Sequence, residues 1–357
     1  MAISQKKLIL CLCCLMLLGF SFANSVLAIE VRNKDEVLKQ IDEYVVETMK
    51  MNNIKGASLA IANNDRVFYA TGYGGVSEAG AITGSTPLPI ASLSKSFTAL
   101  AVLQLVEKGK IDLDAPYSSY FSGTSDLSPI DERVHQITVR QLLNQTSGLN
   151  DKVNPDMTRF VQYEALKEIY ASLDKVKLAH DPGEAYSYHN PNYQYLALLV
   201  EKVSGQSFTA YLEKNIFEPL KMDQTFNVSS TQQMNEHPAV PWGHYLVFGQ
   251  SISRTEPSWF IDGPAGIIST AEDMAKWMVA QYNGRLLAPE LMDQYHAAGQ
   301  IGPYGMGWIA GKDKRWGQTI DDFPWRYFLD LQGGRGHFCG SAVGHNDVVY
   351  NGVECFC

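Results

Sequence analysis

A serine and a lysine three positions apart are the first residues of this chain that could perform covalent chemistry. Ser92 and Lys95 open the segment SLSKSFTALAVLQLVEK, which is almost entirely apolar from Phe97 to Val106. Positions i and i+3 share a helix face, so the lysine amine can reach the serine hydroxyl. A buried lysine loses part of its tendency to be charged and can take the proton of a serine. We therefore predict Ser92 as a nucleophile with Lys95 as its base. At a helix N-terminus, the Ser92 N–H and the helix dipole would also stabilise an oxyanion.

Two further copies of the Ser-x-x-Lys pattern show that spacing alone is weak evidence for a catalytic pair. Residues 4–7 lie beside the first apolar stretch of the chain, and residues 172–175 lie in a polar segment. Only the copy at Ser92 opens a long apolar helix that would bury the lysine stem. The alternative is that Lys95 is a surface lysine whose amine reaches solvent.

A second candidate is the triplet Tyr188-His189-Asn190, on a predicted loop just ahead of a helix. A tyrosine beside the lysine could share its proton and pass one to a leaving group. The asparagine amide can both donate and accept hydrogen bonds, so Asn190 could hold Lys95 and a substrate carbonyl. Aromatic residues are common in such loops, so the triplet carries little weight by itself.

Other motifs that carry chemistry are missing from the sequence. None of the eight histidines forms a His-Glu-x-x-His or His-x-His pair, so we expect no metal in the site. The chain has no Gly-x-Ser-x-Gly elbow, which argues against an α/β-hydrolase. It also lacks the glycine-rich loops that bind nucleotides, and we expect no cofactor.

Composition and charge exclude one class of protein and one class of partner. Apolar residues make up 45% and charged residues 19% of the chain, which excludes a largely disordered protein. The formal net charge is −9 and no Lys/Arg-rich block appears, so we expect no nucleic-acid partner.

The first residues predict export. Lys6 and Lys7 precede thirteen apolar residues, Leu8–Phe20, and Val26 and Ala28 occupy the small-residue positions of a cleavage site. We predict a signal peptide over residues 1–28 and a location in the bacterial cell envelope or outside the cell. A transmembrane anchor is the alternative, although thirteen apolar residues are short for a bilayer span.

The elements that must position these residues follow from periodicity and turn chemistry. The sequence predicts a helix over 35–52, a hairpin of strands 56–62 and 66–71, a buried helix over 92–108, helices over 137–146, 160–179, 192–204 and 271–283, and a strand over 304–309. This order favours an α+β domain over residues 29–357. Its antiparallel sheet, flanked by helices, would come from about 29–90 and 260–357, with a mainly helical insertion over about 91–259.

Five stretches together resemble the serine β-lactamase and penicillin-binding-protein superfamily, and most closely its class C β-lactamase-like serine hydrolases. In the family's own order they are Pro89–Thr98, Ile137–Leu149, Pro182–Asn190, Ile216–Met222 and Pro264–Met274. The resemblance covers roughly residues 35–310 and implies a β-lactamase/transpeptidase-like fold. The Ser-x-x-Lys motif is known in this role in such enzymes.

The resemblance also implies a mechanism. Ser92 would attack a carbonyl and form an acyl-enzyme that water hydrolyses, with Lys95 and Tyr188 moving protons and Asn190 binding substrate. The substrate would be a D-alanyl peptide from peptidoglycan, a β-lactam, a D-amino-acid amide or an ester, and the protein could associate peripherally with the cell envelope. The sequence leaves the oligomeric state open.

The C-terminus departs from this family. A third motif, Lys-Thr-Gly or His-x-Gly, is expected on a strand lining the site. The nearest match is His-x-x-Gly over residues 337–340, so His337 is the candidate substrate-binding residue. Three of the six cysteines also lie in the last nineteen residues. We hypothesise that residues 311–357 are divergent or truncated, as after a frameshift. The alternative function is then a catalytically impaired relative that binds cell-wall peptide or a partner.

Overall fold

The computed structural model describes residues 34–51, 54, 56–63, 66–76, 80–122, 127–154, 166–240, 244–247, 250–253, 261–284, 286–302, 304–308, 327–330 and 337–340. The predicted signal peptide lies outside these ranges. The chain divides into two compact units, Met1–Ile54 and Lys55–Cys357. A helix over residues 34–51, α1, belongs to the first unit, and every other described element belongs to the second.

Most of the predicted helices are confirmed. The α-helices that follow α1 are α2 (Ser94–Glu107), α3 (Val139–Leu143), α4 (Leu166–Ser172), α5 (Pro191–Ser204), α6 (Phe208–Leu212), α7 (Thr231–Glu236), α8 (Ala271–Tyr282) and α9 (Pro289–His296). Shorter 3₁₀ turns lie at Ala91–Leu93, Tyr117–Phe121, Glu132–Gln136 and Leu173–Lys175, and a π turn lies at Glu213–Phe217. Within the described ranges, no helix has both the length and the apolar character needed to span a membrane.

The described strands form three antiparallel sheets. They are β1 (Gly56–Ala62), β2 (Val67–Val76), β3 (Gly80–Ala81), β4 (Leu88–Pro89), β5 (Phe226–Asn227), β6 (His244–Val247), β7 (Gln250–Ser253), β8 (Ile267–Ser269), β9 (Tyr327–Asp330) and β10 (His337–Gly340). The five-stranded sheet has the order β10-β9-β1-β2-β3, and β4-β8-β5 and β6-β7 form the smaller sheets. The predicted hairpin is confirmed, with Gly56 opposite Gly74 and Ala60 opposite Ala70.

Two segments of the C-terminal tail are strands of the main sheet. Strand β9 pairs with β1 through Ala57–Asp330 and Ser58–Leu329, and β10 pairs with β9. The rest of residues 311–357 lies outside the described ranges, so a divergent or truncated origin of the tail stays a hypothesis.

The core surrounds α2 and α5, which are buried along most of their length. From Ser94 to Leu103, α2 is buried at every position, as its all-round apolar sequence predicts. It packs against α5, and Phe97 stacks on Trp277 of α8 with ring centroids 3.8 Å apart. Helix α8 in turn covers β1 and β2. The helix that follows Ser92 is therefore held on two sides by other elements.

The strand predicted over 304–309 is wrong in its described part. Residues 305–308 form a turn, in which the Gly305 N–H donates to the Trp308 carbonyl at 2.7 Å. Gly307 adopts a φ of +90°, which glycine reaches without steric cost. A Cβ at Gly307 would lie 2.7 Å from the Cα of Ser96. Gly307 therefore allows this turn to contact the first turn of α2, and Gly305 allows it to lie against the Ala297 carbonyl.

Candidate active site

Ser92 occupies a short, constrained turn at the start of α2. It lies in the 3₁₀ turn Ala91–Leu93, which continues directly into the helix. The preceding Ala91 has a φ of +45°, a left-handed conformation that costs a non-glycine residue energy and often marks functional sites. The turn is fixed to β8, because the Ile90 N–H donates to the Ile267 carbonyl at 3.0 Å. Ser92 is thus placed at the N-terminal end of a buried helix.

Lys95 is fully buried and points at the serine. Its side chain is 0% exposed, which rules out the surface alternative. The Nζ donates to Ser92 Oγ at 3.0 Å and to the Pro264 carbonyl at 3.1 Å. These partners are a hydroxyl and a carbonyl, and neither compensates a positive charge as a carboxylate would. Burial therefore lowers the pKa of Lys95 well below its ordinary value, which favours the neutral amine.

Tyr188 completes a three-membered contact around the nucleophile. Its hydroxyl donates to Ser92 Oγ at 2.9 Å, and its ring centroid lies 4.9 Å from the Nζ of Lys95. The Tyr304 ring packs edge-on against it with centroids 5.8 Å apart. The structure therefore brings together Ser92, Lys95 and Tyr188, the three residues that the sequence predicts as catalytic.

Asn190 and His337 occupy different positions relative to this cluster. Asn190 lies two residues beyond Tyr188 at the N-cap of α5, where its side chain makes no capping hydrogen bond. His337 begins β10, opposite Asp330 and two strands away from β1. Their roles in substrate binding stay predictions.

Sequence reasoning singled out Pro264 as part of a family stretch but missed that its turn holds Lys95 from the far side. Carbonyls of the turn before β8 accept from α2: Pro264 from Lys95, and Gly263 from the Thr98 hydroxyl at 2.7 Å. Gly263 has a φ of +92°, and a Cβ there would lie 2.1 Å from the Tyr193 carbonyl. The Gly-Pro-Ala-Gly sequence of this turn was the available signal, because adjacent glycine and proline mark tight turns.

The described residues do not form a cluster of metal ligands. Those ranges contain no group of three His, Cys, Asp or Glu side chains that could hold an ion. The cluster around Ser92 contributes a hydroxyl, an amine and a phenol.

Comparison with known proteins identifies the family of the chain. A family model described as "Beta-lactamase" matches residues 41–346, which include all three clustered residues. The chain belongs to the Beta-lactamase family. The match continues past residue 310, where the recognisable sequence motifs end. Family membership confirms the β-lactamase/transpeptidase-like α+β fold.

The relatives and solved structures that match share 24% to 28% of their aligned residues with this chain in three examples. The chain is 28% identical over 306 residues to Protein flp of Staphylococcus aureus (strain MW2), covering 80% of this chain and 59% of that protein. It is 24% identical to penicillin-binding protein 4* of Bacillus subtilis (strain 168), covering 81% and 66%. An octameric penicillin-binding protein homologue from Pyrococcus abyssi matches with a TM-score of 0.65 at 25% identity, covering 82% and 70%. The chain thus spans about three fifths of the length of the Staphylococcus relative.

Proposed function

We propose that this protein is an exported serine hydrolase that acts through an acyl-enzyme on Ser92. The carrying observation is that Ser92 Oγ receives hydrogen bonds from both a fully buried lysine and a tyrosine, at 3.0 and 2.9 Å. Both can exchange protons with the serine, as acyl transfer requires.

Proton transfer follows from the pKa of Lys95. With its neutral form favoured by burial, the amine accepts the Ser92 proton as Oγ attacks the carbonyl carbon. The proton then reaches the leaving group through the Tyr188 hydroxyl, which donates a hydrogen bond to the same Ser92 Oγ. Water hydrolyses the resulting ester with the same groups acting in reverse.

Oxyanion stabilisation falls to the N-terminal end of α2. The backbone N–H of Ser92 lies where the helix dipole is positive, which favours a developing negative charge. In the family pattern a second donor and a substrate contact come from the third motif, for which His337 on β10 is the candidate. Asn190 is proposed to bind the substrate carbonyl beside Tyr188.

The proposed substrate is a D-alanyl peptide of peptidoglycan or a β-lactam. The names of two relatives, penicillin-binding protein 4* and the penicillin-binding protein homologue, support this class. A D-amino-acid amide or an ester would fit the same chemistry. Export through residues 1–28 would bring the enzyme to the cell envelope, where peptidoglycan lies.

Covalent labelling tests this proposal. The purified protein is incubated with a fluorescent penicillin, whose ring opens on acylation so that the whole reagent adds to the protein. Intact mass and peptide mapping should place the adduct on Ser92, and Ser92→Ala should abolish it. Ser172→Ala is the matched control, because Ser172 belongs to the other Ser-x-x-Lys copy of the described chain, and it should label like the parent protein. A folded parent protein that takes no label from penicillin or from a fluorophosphonate contradicts the proposal.

A second candidate is a catalytically impaired relative that binds peptide. The His-x-x-Gly sequence of β10 in place of the family's third motif favours it. Losing one oxyanion donor costs on the order of 10²–10³-fold in rate. Turnover of a chromogenic β-lactam or a p-nitrophenyl ester that disappears in Ser92→Ala favours the enzyme, whereas peptide binding without turnover favours the impaired relative.

A further inference from the structure

His189 is a buried histidine between two proposed site residues, and the proposed mechanism does not use it. Its side chain is 0% exposed, and its Nδ1 contacts the carboxylate of Asp151, whose side chain is 54% exposed. Asp151 lies on the loop after α3, 38 positions earlier in the chain. The contact therefore joins two separate loops beside the nucleophile.

The two loops are also joined by further hydrogen bonds between backbone and side-chain groups. The Ser187 N–H donates to the Gln145 carbonyl at 2.9 Å, and the His189 N–H donates to Gln145 Oε1 at 3.0 Å. Asn150 Nδ2 donates to Ser187 Oγ at 2.6 Å. Together with the contact between His189 and Asp151, these bonds fix the residues on both sides of Tyr188. The position of the Tyr188 hydroxyl over Ser92 depends on that backbone.

The second ring nitrogen shows which role His189 can take. Within the described part of the chain, the buried Nε2 of His189 has no hydrogen-bond partner. An N–H buried without an acceptor is costly, and more so on a charged ring. The tautomer that carries its proton on Nδ1 avoids this cost and donates to the Asp151 carboxylate. With no partner at Nε2, the ring does not connect a chain of proton donors and acceptors.

We propose that Asp151 and His189 are a positioning pair that holds Tyr188 against Ser92. This inference rests on the proposed function of Ser92, Lys95 and Tyr188. The pair touches no reacting atom. It acts by anchoring the ring of His189, which directs the adjacent backbone and so the Tyr188 side chain.

The test uses kinetics of four variants on a p-nitrophenyl ester, with Ser92 acylation rates measured in parallel. His189→Ala and Asp151→Ala should each lower kcat by roughly 10- to 100-fold, since small misplacement of a catalytic group costs up to about 10²-fold. KM should stay within about three-fold, because a positioning pair does not touch substrate. The double variant should be no worse than the worse single variant, because both remove one contact.

His189→Asn is the conservative rescue. The asparagine Nδ2 can stand near the place of the histidine Nδ1 and donate to Asp151, so kcat should recover most of the loss. A matched control is the exposed His135–Glu132 pair, with its atoms 3.9 Å apart. His135→Ala and Glu132→Ala should leave kcat unchanged. Asp151 is half exposed, so Asp151→Ala should fold even if His189→Ala does not.

The outcomes separate this proposal from the function on which it rests. If the parent protein acylates Ser92 while the His189 and Asp151 variants keep their kcat, the positioning pair is wrong and the hydrolase stands. The pair is also wrong if losses in kcat match the unfolded fraction seen by circular dichroism, or if KM alone changes. If the parent protein forms no acyl-enzyme, both proposals are overturned.

Discussion

The two described copies of Ser-x-x-Lys in this chain share more than their spacing, yet only one has the environment of a catalytic site. Ser92 Oγ lies 2.9 Å from the Tyr188 hydroxyl, and Ser172 Oγ lies 2.9 Å from the Tyr195 hydroxyl. Serine, lysine and a tyrosine partner therefore occur twice. The lysines differ, because Lys95 is fully buried and Lys175 is exposed.

The helix ends differ as well. Ser92 precedes α2, so its backbone lies at the positive end of the helix dipole, whereas Ser172 is the last residue of α4, at the negative end. The Ser172 hydroxyl also donates to the Ile169 carbonyl at 2.5 Å, one turn back in its own helix. Ser172 is thus positioned to satisfy local backbone, and a developing oxyanion there would be opposed.

This contrast teaches that a nucleophile needs an environment that no spacing encodes. A base must be desolvated to be neutral, and an anion must face donors. Lys95 is desolvated and Lys175 is not, and the N-terminal end of α2 is the proposed site of the donors.

Substitution of the two lysines should show the largest difference in kcat/KM. We expect Lys95→Met to lower kcat/KM by about 10³-fold or more, because the base of the attack is lost. Lys175→Met should change kcat/KM by less than two-fold. Steady-state hydrolysis of a p-nitrophenyl ester measures both. A Lys95→Met enzyme within ten-fold of the parent protein would remove the distinction between the two copies.

The tyrosines give the next comparison. Tyr188→Phe should lower kcat by about 10²-fold, since a proton carrier to the leaving group is lost. Tyr195→Phe should keep kcat within two-fold and lower the free energy of unfolding by about 1 kcal/mol, the usual worth of a hydrogen bond. Kinetics and urea unfolding of both variants check this. Equal losses of kcat would contradict it.

The pH dependence of stability should report the buried amine. Native Lys95 has a lowered pKa, so between that pKa and its ordinary 10.5 the unfolded chain binds a proton that the native state lacks. Stability therefore rises with pH across this window, by up to about 1.4 kcal/mol per pH unit, and is lost as pH falls. Protonation of native Lys95 should also lower kcat/KM as the pH falls through that lowered pKa.

Urea unfolding at a series of pH values measures that slope. Lys95→Met should remove it, and Lys175→Met should keep the slope of the parent protein. Identical slopes in both variants would mean that native Lys95 is charged.

The smallest expected effect is a loss of stability when the serine of the second Ser-x-x-Lys copy is replaced. Ser172→Ala should lower the free energy of unfolding by about 1 kcal/mol, because it loses the bonds to Tyr195 and the Ile169 carbonyl. Its ester hydrolysis should be unchanged. Thermal unfolding with parallel kinetics tests this, and a loss of activity without a loss of stability would give Ser172 a role that its surroundings do not predict.

Long periodic elements were predictable because local pattern and burial agree. The buried helix after Ser92, the hairpin of β1 and β2, and the helix that became α8 all follow from their own sequences. The strand predicted over 304–309 failed at residues 305–308 because Gly307 brings this segment into close contact with α2. Alternating apolar residues cannot reveal that need, since Ser96 of the contacting helix lies 211 positions before Gly307 in the sequence.

By itself the sequence determined the nucleophile helix. Apolar residues on every face require α2 to be buried, and the spacing of Ser92 and Lys95 puts both on one side of it. The tertiary structure decided which copy of the motif has a buried lysine and a tyrosine at hand. The Pro264 carbonyl and the Tyr188 hydroxyl come from positions 169 and 96 residues away from their partners. Contacts over such separations depend on how the whole chain packs, because desolvation is a property of the surroundings and not of the residue.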